Sequence, residues 1–352
     1  LSGADAEVHP EPFGVVLALA RSNYPLLTPG SQALQALAAG NAVVLKPGAG
    51  GAPAAQALHG ALVAAGLDPR LLAVLPEDAE AGRLALGLAP DFVLLTGAAA
   101  TGRAVLRQCA ANLTPAAAEL SGSDAVVVRA DADLDRVVAA LRFGLRLNDG
   151  ATCIAPRRVF AHAAVFGELE SRLARALAAE APIPIPPAQA EKLTPLLLAA
   201  TARGAQVLGV RRPEIGELRG PVVVSRAQPA MRLLHEDVFA PVLALVEVAD
   251  DRAALAAAAL CPYALGASVF SRDAAATRRL AAQLPAGVVT LGLTRPKVVS
   301  IRHGRWLPHL DPPREGDAEL FAAALRATHA RSPWSRLRAG LAALRHAARR
   351  GR

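Results

Sequence analysis

Lysine is nearly missing: among 352 residues only Lys46, Lys192 and Lys297 carry it, and arginine supplies the remainder of the 38 basic side chains. So uniform a bias carries no functional inference. Cysteine is as scarce. Cys109, Cys153 and Cys261 are too few, and of the wrong parity, for a disulfide framework, which points to a reducing compartment. The eight histidines form no HExxH pair and join no paired-cysteine spacing, so no metal site is expected. There is no P-loop and no internal repeat.

Negative charge is absent from one place that matters. Residues 331–352 hold seven arginines and no acid, so the formal net charge of +8 falls to +1 over the rest of the chain. The basicity belongs to a tail, and no nucleic-acid partner is expected. Within the tail, Leu337, Leu341 and Leu344 share one face of a helical pattern whose remaining apolar positions are mostly alanine. That reads as a solvated or docked terminal helix, with contact to an anionic membrane surface as the alternative. A long apolar run is also lacking. The least polar stretch, 253–270, is broken by Pro262, Gly266 and Ser268, and reads as helix, turn and strand rather than a membrane span. The opening LSGADAEVHPEPFG lacks the basic-then-apolar order of a signal peptide, so a cytoplasmic protein is expected.

What is present indicates a packed α/β protein. Hydrophobic residues make up 53% and charged residues 19%, and the length suits two domains. Strands are expected at 15–20, 42–45, 71–75 and 92–95, alternating with helices at 31–40, 53–65, 79–88 and 99–110. Such alternation implies a mostly parallel sheet with helices on both faces, binding its ligand beyond the carboxyl ends of the strands. Later, 158–161 and 222–224 read as strands, 168–179 and 188–203 as helices, and the proline-rich IPIPP at 183–187 as a stiff connector.

The chemistry concentrates between Glu119 and Cys153. A carboxylate precedes a Ser-Gly turn in ELSG, and a cysteine lies in the small-residue loop NDGATC. A cysteine with thiolate character is a nucleophile, and a carboxylate can move a proton or activate water. ELSG, NDGATCIAPRRV, RSNYP, VVLKPG and HEDVFAPV occur in an order that resembles the aldehyde dehydrogenase superfamily. The separations of 34 residues from Glu119 to Cys153 and 23 from Asn23 to Lys46 match that resemblance.

The resemblance implies a Rossmann-like cofactor domain at 1–122, an α/β catalytic thiol domain at 123–293, and a terminal strand with a basic tail at 294–352. It implies Cys153 as nucleophile, Glu119 as general base, and Asn23 as oxyanion donor together with the Cys153 backbone N–H. NAD or NADP would be held by Lys46 at the adenosine ribose, Gly97 and Ala98 at the pyrophosphate, and Asp237 and Phe239 at the nicotinamide ribose and ring. The implied reaction is oxidation of an aldehyde to a carboxylic acid through a cysteine thioester. Cys109 and Cys261 are expected to be buried and inert.

The departures are specific. Ser121, Ala98, Ser22 and Asp237 replace a glycine, a serine, an aromatic residue and a glutamate of the family pattern, and Ala49 stands where NAD-preferring members often carry glutamate. The segment that usually precedes PFG, and a Phe-Gly-Gly loop before TRPKVV, have no counterpart, which implies an uncovered sheet edge in the cofactor domain. Two rivals follow. One is a catalytically impaired remnant acting as a binding protein. The other is a Cys-His hydrolase using His162 or His235.

Overall fold

The computed structural model describes residues 11–209, 218–263, 265–292 and 297–301. The described residues up to Ser300 form one compact unit. In chain order the first half contains β1 (Val15–Leu19), α1 (Leu27–Ala38), β2 (Ala42–Lys46), α2 (Ala52–Ala64), β3 (Leu72–Val74), α3 (Ala79–Gly87), β4 (Phe92–Thr96), α4 (Ala99–Asn112) and β5 (Ala116–Glu119). These strands make one parallel sheet in the order β3-β2-β1-β4-β5.

The period-2 alternation of the strands sorts the helices. Leu17, Leu19, Val93 and Leu95 point to one face, where Leu86 of α3 and Val105 and Cys109 of α4 cover them. Ala18, Val43 and Leu45 point to the other, against Ala33 of α1 and Ala55 of α2. Leu17 and Leu45 are fully buried, and each such side chain stabilises the fold by about 2 kcal/mol. The strand order reverses direction between β1 and β4, which opens a crevice at their carboxyl ends.

The chain leaves this sheet at Glu119 and enters a second one at Asp124. There follow β6 (Asp124–Val128), α5 (Leu134–Arg146), β7 (Pro156–His162), α6 (Ala163–Ala178), β8 (Ile183–Pro184), α7 (Pro187–Thr201), β9 (Gln206–Leu208), β10 (Arg219–Gly220), β11 (Val222–Ser225), β12 (Val242–Val248), α8 (Asp251–Ala259), β13 (Gly266–Phe270), α9 (Ala274–Ala281), β14 (Val288–Gly292) and β15 (Lys297–Ile301). The sheet order is β15-β14-β13-β6-β7-β12-β11-β9, with β9 antiparallel to β11. Helix α5 is capped by Asp133 and buries Val137, Leu141 and Leu145, one face at helical spacing.

Three elements differ from the sequence expectation. Helix α1 begins at Leu27 rather than residue 31, because Pro29 falls in its first turn, where the missing N–H has no intrahelical acceptor. Helix α6 begins at Ala163 rather than 168, because the His162 ring accepts the Ala164 N–H at 3.1 Å and caps it without Ser, Thr, Asn or Asp. The IPIPP segment is no mere connector: Ile183–Pro184 pairs with Arg219–Gly220 as a short antiparallel ribbon. The tail at 331–352 and residues 294–296 of TRPKVV lie outside the described residues. Among the described residues no helix is long and apolar enough to cross a membrane.

Candidate active site

The cysteine loop owes its shape to small and left-handed residues. Asn148, Asp149 and Gly150 all have positive φ (52°, 53° and 75°), which Asn, Asp and Gly tolerate best. A Cβ on Gly150 would lie 2.4 Å from the Pro241 nitrogen, so the loop packs directly on the segment carrying Asp237 and Phe239. The buried Arg157 guanidinium clamps this junction, donating to the carbonyls of Gly150, Ala240 and Val242. Burial lowers the Arg157 pKa to about 10, with Asp237 and Asp124 opposing, so it stays cationic at neutral pH.

Glu119, at the carboxyl end of β5, meets this loop. The Cys153 thiol donates to Glu119 Oε1 at 3.3 Å. Gly122 permits the approach, since a Cβ there would lie 2.1 Å from the Cys153 carbonyl oxygen. Gly122→Ala is therefore expected to displace the Cys153 loop at a cost of about 3 kcal/mol or more, lowering both the urea midpoint and any turnover. Unfolding and activity within error of the wild type would contradict this close approach.

Asn23 follows β1 and reaches the same loop. Its amide donates to the Ala151 carbonyl at 3.2 Å, leaving a second N–H for another acceptor. Asn148 Nδ2 ties the two segments by donating to the Asn23 carbonyl at 2.7 Å and the Ala151 carbonyl at 3.0 Å. The Tyr24 and Thr152 hydroxyls share a hydrogen bond of 2.8 Å. Glu119, Asn23 and Cys153 thus converge from three distant parts of the chain.

The local field protonates the thiol. Burial first, then the charge and hydrogen bond of Glu119, push the Cys153 pKa up to about 12, against a donor contact from the Ile154 N–H. Cys153 therefore rests as a neutral thiol with a proton acceptor in contact, and the thiolate character a nucleophile needs has to arise by proton transfer. Nearby Asp124 is raised to about 7 by burial, opposed by the Gly266 N–H and by Arg157 and Arg158.

Of the expected cofactor residues, Lys46, Gly97 and Ala98 stand at strand ends of the first sheet, and Asp237 and Phe239 come from the segment before β12. Lys46 ends β2, and its pKa is lowered by burial against the opposing charges of Asp78 and Glu77. Gly97 donates its N–H to the Glu119 carbonyl at 3.0 Å, joining the turn at the foot of α4 to the carboxylate residue. Ala98 is the N-cap of α4 and supplies no side-chain cap. Ser121 compensates, because its hydroxyl accepts the Ala99 N–H at 3.0 Å and donates to Asp237 Oδ2 at 2.5 Å. The next N–H groups of α4 have no intrahelical acceptor and favour an anion. Asp237 Oδ1 is buried without a partner among the described residues. A polar ligand group at the crevice fits both features.

Sequence reading missed Arg21, whose guanidinium lies 3.8 Å from the centre of the Phe239 ring and 3.9 Å from Asp237. It missed Arg157 and the bridging role of Ser121 as well. Only Ser121 left a signal, as a departure from the family glycine. His162 caps α6 and His235 is bonded to the Pro229 carbonyl at 2.7 Å, so both histidines proposed for a hydrolase are engaged elsewhere. Cys109 and Cys261 are buried free thiols. Among the described residues no three His, Cys, Asp or Glu side chains are placed to hold a metal.

Comparison with known proteins identifies the family. Residues 2–303 match the aldehyde dehydrogenase family. A 4,4'-diapolycopene aldehyde oxidase from Methylomonas sp is 31% identical over 293 residues, which cover 81% of this chain and 55% of that protein. The crystal structure of a Mycobacterium tuberculosis aldehyde dehydrogenase complexed with NAD+ superposes with a TM-score of 0.76 at 27% identity, over 81% of this chain and 62% of that one. An NADP-dependent glyceraldehyde-3-phosphate dehydrogenase from Bacillus halodurans C-125, complexed with NADP, gives 0.74 at 27% identity, with 81% and 62% covered. The chain thus spans 55–62% of the length of these three proteins. With a family match across most of its length and a two-sheet α/β fold shared with solved dehydrogenases, this chain belongs to the aldehyde dehydrogenase family.

Proposed function

We propose that the chain carries out NAD(P)-dependent oxidation of an aldehyde to a carboxylic acid at Cys153. The observation that carries this reading is the contact between the Cys153 thiol and Glu119 Oε1, with the Asn23 amide on the same loop. Residues to 122 would form the cofactor domain and 123–293 the thiol domain. The cofactor fits the strand-end crevice: Lys46 would hold a ribose, the α4 N-terminus at Gly97 and Ala98 the pyrophosphate, and Asp237 and Phe239 the nicotinamide end. Bound there, it supplies a hydride acceptor.

Every other step belongs to this chain. Glu119 takes the Cys153 proton as the sulfur adds to the aldehyde carbon. The Asn23 amide and the Cys153 N–H stabilise the resulting oxyanion; one such preorganised donor is worth about 3 kcal/mol. Loss of hydride leaves a thioester on sulfur. Glu119, having released its proton to solvent, then removes a proton from water attacking that carbonyl, and the acid departs as Cys153 regains its hydrogen. Three free cysteines in the chain agree with a reducing, cytoplasmic setting.

A second reading has its own observation. Arg21 covers the ring of Phe239, the surface expected to pack against nicotinamide, and must swing aside before a cofactor can seat. A chain in which it never moves would be a catalytically impaired relative that serves as a binding protein. Incubation with an aldehyde panel and NAD or NADP, followed by reduced-cofactor absorbance and thermal shift, separates the two. The dehydrogenase is expected to show turnover together with a raised Tm. No turnover and no shift with either nucleotide would favour the impaired form.

A further inference from the structure

The carboxylate of Glu77, in the loop between β3 and α3, accepts the backbone N–H of Ala52 at 3.1 Å. Gly50, Ala52 and Gly51 together hold it below the usual glutamate range, with the charge of Lys46 adding to the effect. An acid from the end of one strand thus fills the N-terminus of the helix that follows its neighbour. Asp78, next in sequence, caps α3 by accepting the Ala81 N–H at 2.8 Å and also faces Lys46. Lys46, Glu77 and Asp78 therefore share the carboxyl ends of the adjacent parallel strands β2 and β3.

The reading above brings the adenosine ribose to Lys46. A ribose with two free hydroxyls and a ribose bearing a 2′-phosphate ask opposite things of that corner. Hydroxyls donate to carboxylates, and an acid beside the ribose is the general device of NAD recognition. A 2′-phosphate needs cations or open backbone N–H groups. Here the N–H of Ala52, which opens α2, is already taken by an anion, and a second anion stands next to it in sequence. Ala49, the position on the β2 loop that often carries the acid in NAD-preferring members, has none to offer, so the discriminating charge comes from a different strand.

We propose that Glu77 makes this chain selective for NAD over NADP, by accepting from the ribose hydroxyls and by closing the α2 N-terminus to a 2′-phosphate. The proposal rests on the cofactor-binding reading. Asp78 acts alongside it as a second negative charge, and Lys46 is the cation that faces both.

Isothermal titration of the whole chain with NAD and, separately, with NADP tests this without any aldehyde. NAD is expected to bind at least about tenfold more tightly than NADP. Glu77→Gln, which keeps an acceptor for the Ala52 N–H but removes the charge, is expected to narrow that ratio at least about fivefold, chiefly by improving NADP. Equal affinities in the wild type overturn the proposal whatever the variant does. So does an unchanged ratio in a Glu77→Gln protein with the wild-type circular dichroism spectrum. Absence of binding by either nucleotide overturns the cofactor reading itself, and the selectivity with it.

Discussion

Cys153→Ser is expected to lower aldehyde-dependent reduction of the cofactor by about 10⁴-fold or more, with nucleotide affinity kept within about twofold of wild type. The substitution is nearly isosteric, so the loop held by Gly150, Arg157 and Asn148 need not move. What changes is the nucleophile. A serine hydroxyl next to Glu119 would be far harder to deprotonate than a thiol, and neither His162 nor His235 is placed to assist it, since both are bonded elsewhere. Cys109 and Cys261 are buried and cannot substitute. Turnover under saturating aldehyde and calorimetric nucleotide binding, measured on the same preparation, decide the matter. Wild-type turnover in Cys153→Ser would remove the thioester route altogether. Loss of nucleotide binding along with turnover would mean that the loop, not the sulfur, had been disturbed.

Glu119→Gln is expected to act in two directions at once. Turnover falls by about 10²–10⁴-fold, because neither the thiol nor the hydrolytic water retains its proton acceptor. The thiol, meanwhile, becomes more reactive toward iodoacetamide. Burial is the largest reason its pKa stands at about 12, but the charge of Glu119 comes next, and that charge disappears in glutamine, which keeps an oxygen to accept from the thiol. The sign is fixed: removing a neighbouring negative charge favours the thiolate, so the folded-state pKa moves down toward the ordinary value. At a fixed pH below 12 the thiolate fraction rises about tenfold for each unit of that fall. Alkylation followed by peptide mapping, run from pH 7 to pH 10, reads Cys153 because the other two thiols are buried. A variant alkylated more slowly than the wild type at every pH would sink this account of the resting state. A variant with full turnover would remove Glu119 from the chemistry.

These two residues also show why the letters were informative. Glu119 and Cys153 stand 34 positions apart in a motif order that resembles one family, and the contact between them at 3.3 Å is short-range chemistry encoded by long-range register. The parallel sheet was equally legible, because apolar strands of four or five residues alternating with amphipathic helices leave few topologies that bury both faces. Helix starts were less so. The cap on α6 is a histidine ring and α1 opens around a proline, and neither matches the usual capping pattern.

Strand-helix alternation was enough to expect the parallel α/β sheet, because periodicity is displayed along a linear chain. The family and the grouping of Glu119, Asn23 and Cys153 were expected from the resemblance carried by motif order and spacing. Only the tertiary structure decided that the thiol rests protonated, that Arg21 lies on Phe239, that Ser121 bridges α4 to Asp237, and that Glu77 occupies the start of α2. All four depend on charge and burial between segments remote in sequence. A side chain's neighbours across a fold, unlike its neighbours along the chain, are set by how sheets and loops pack.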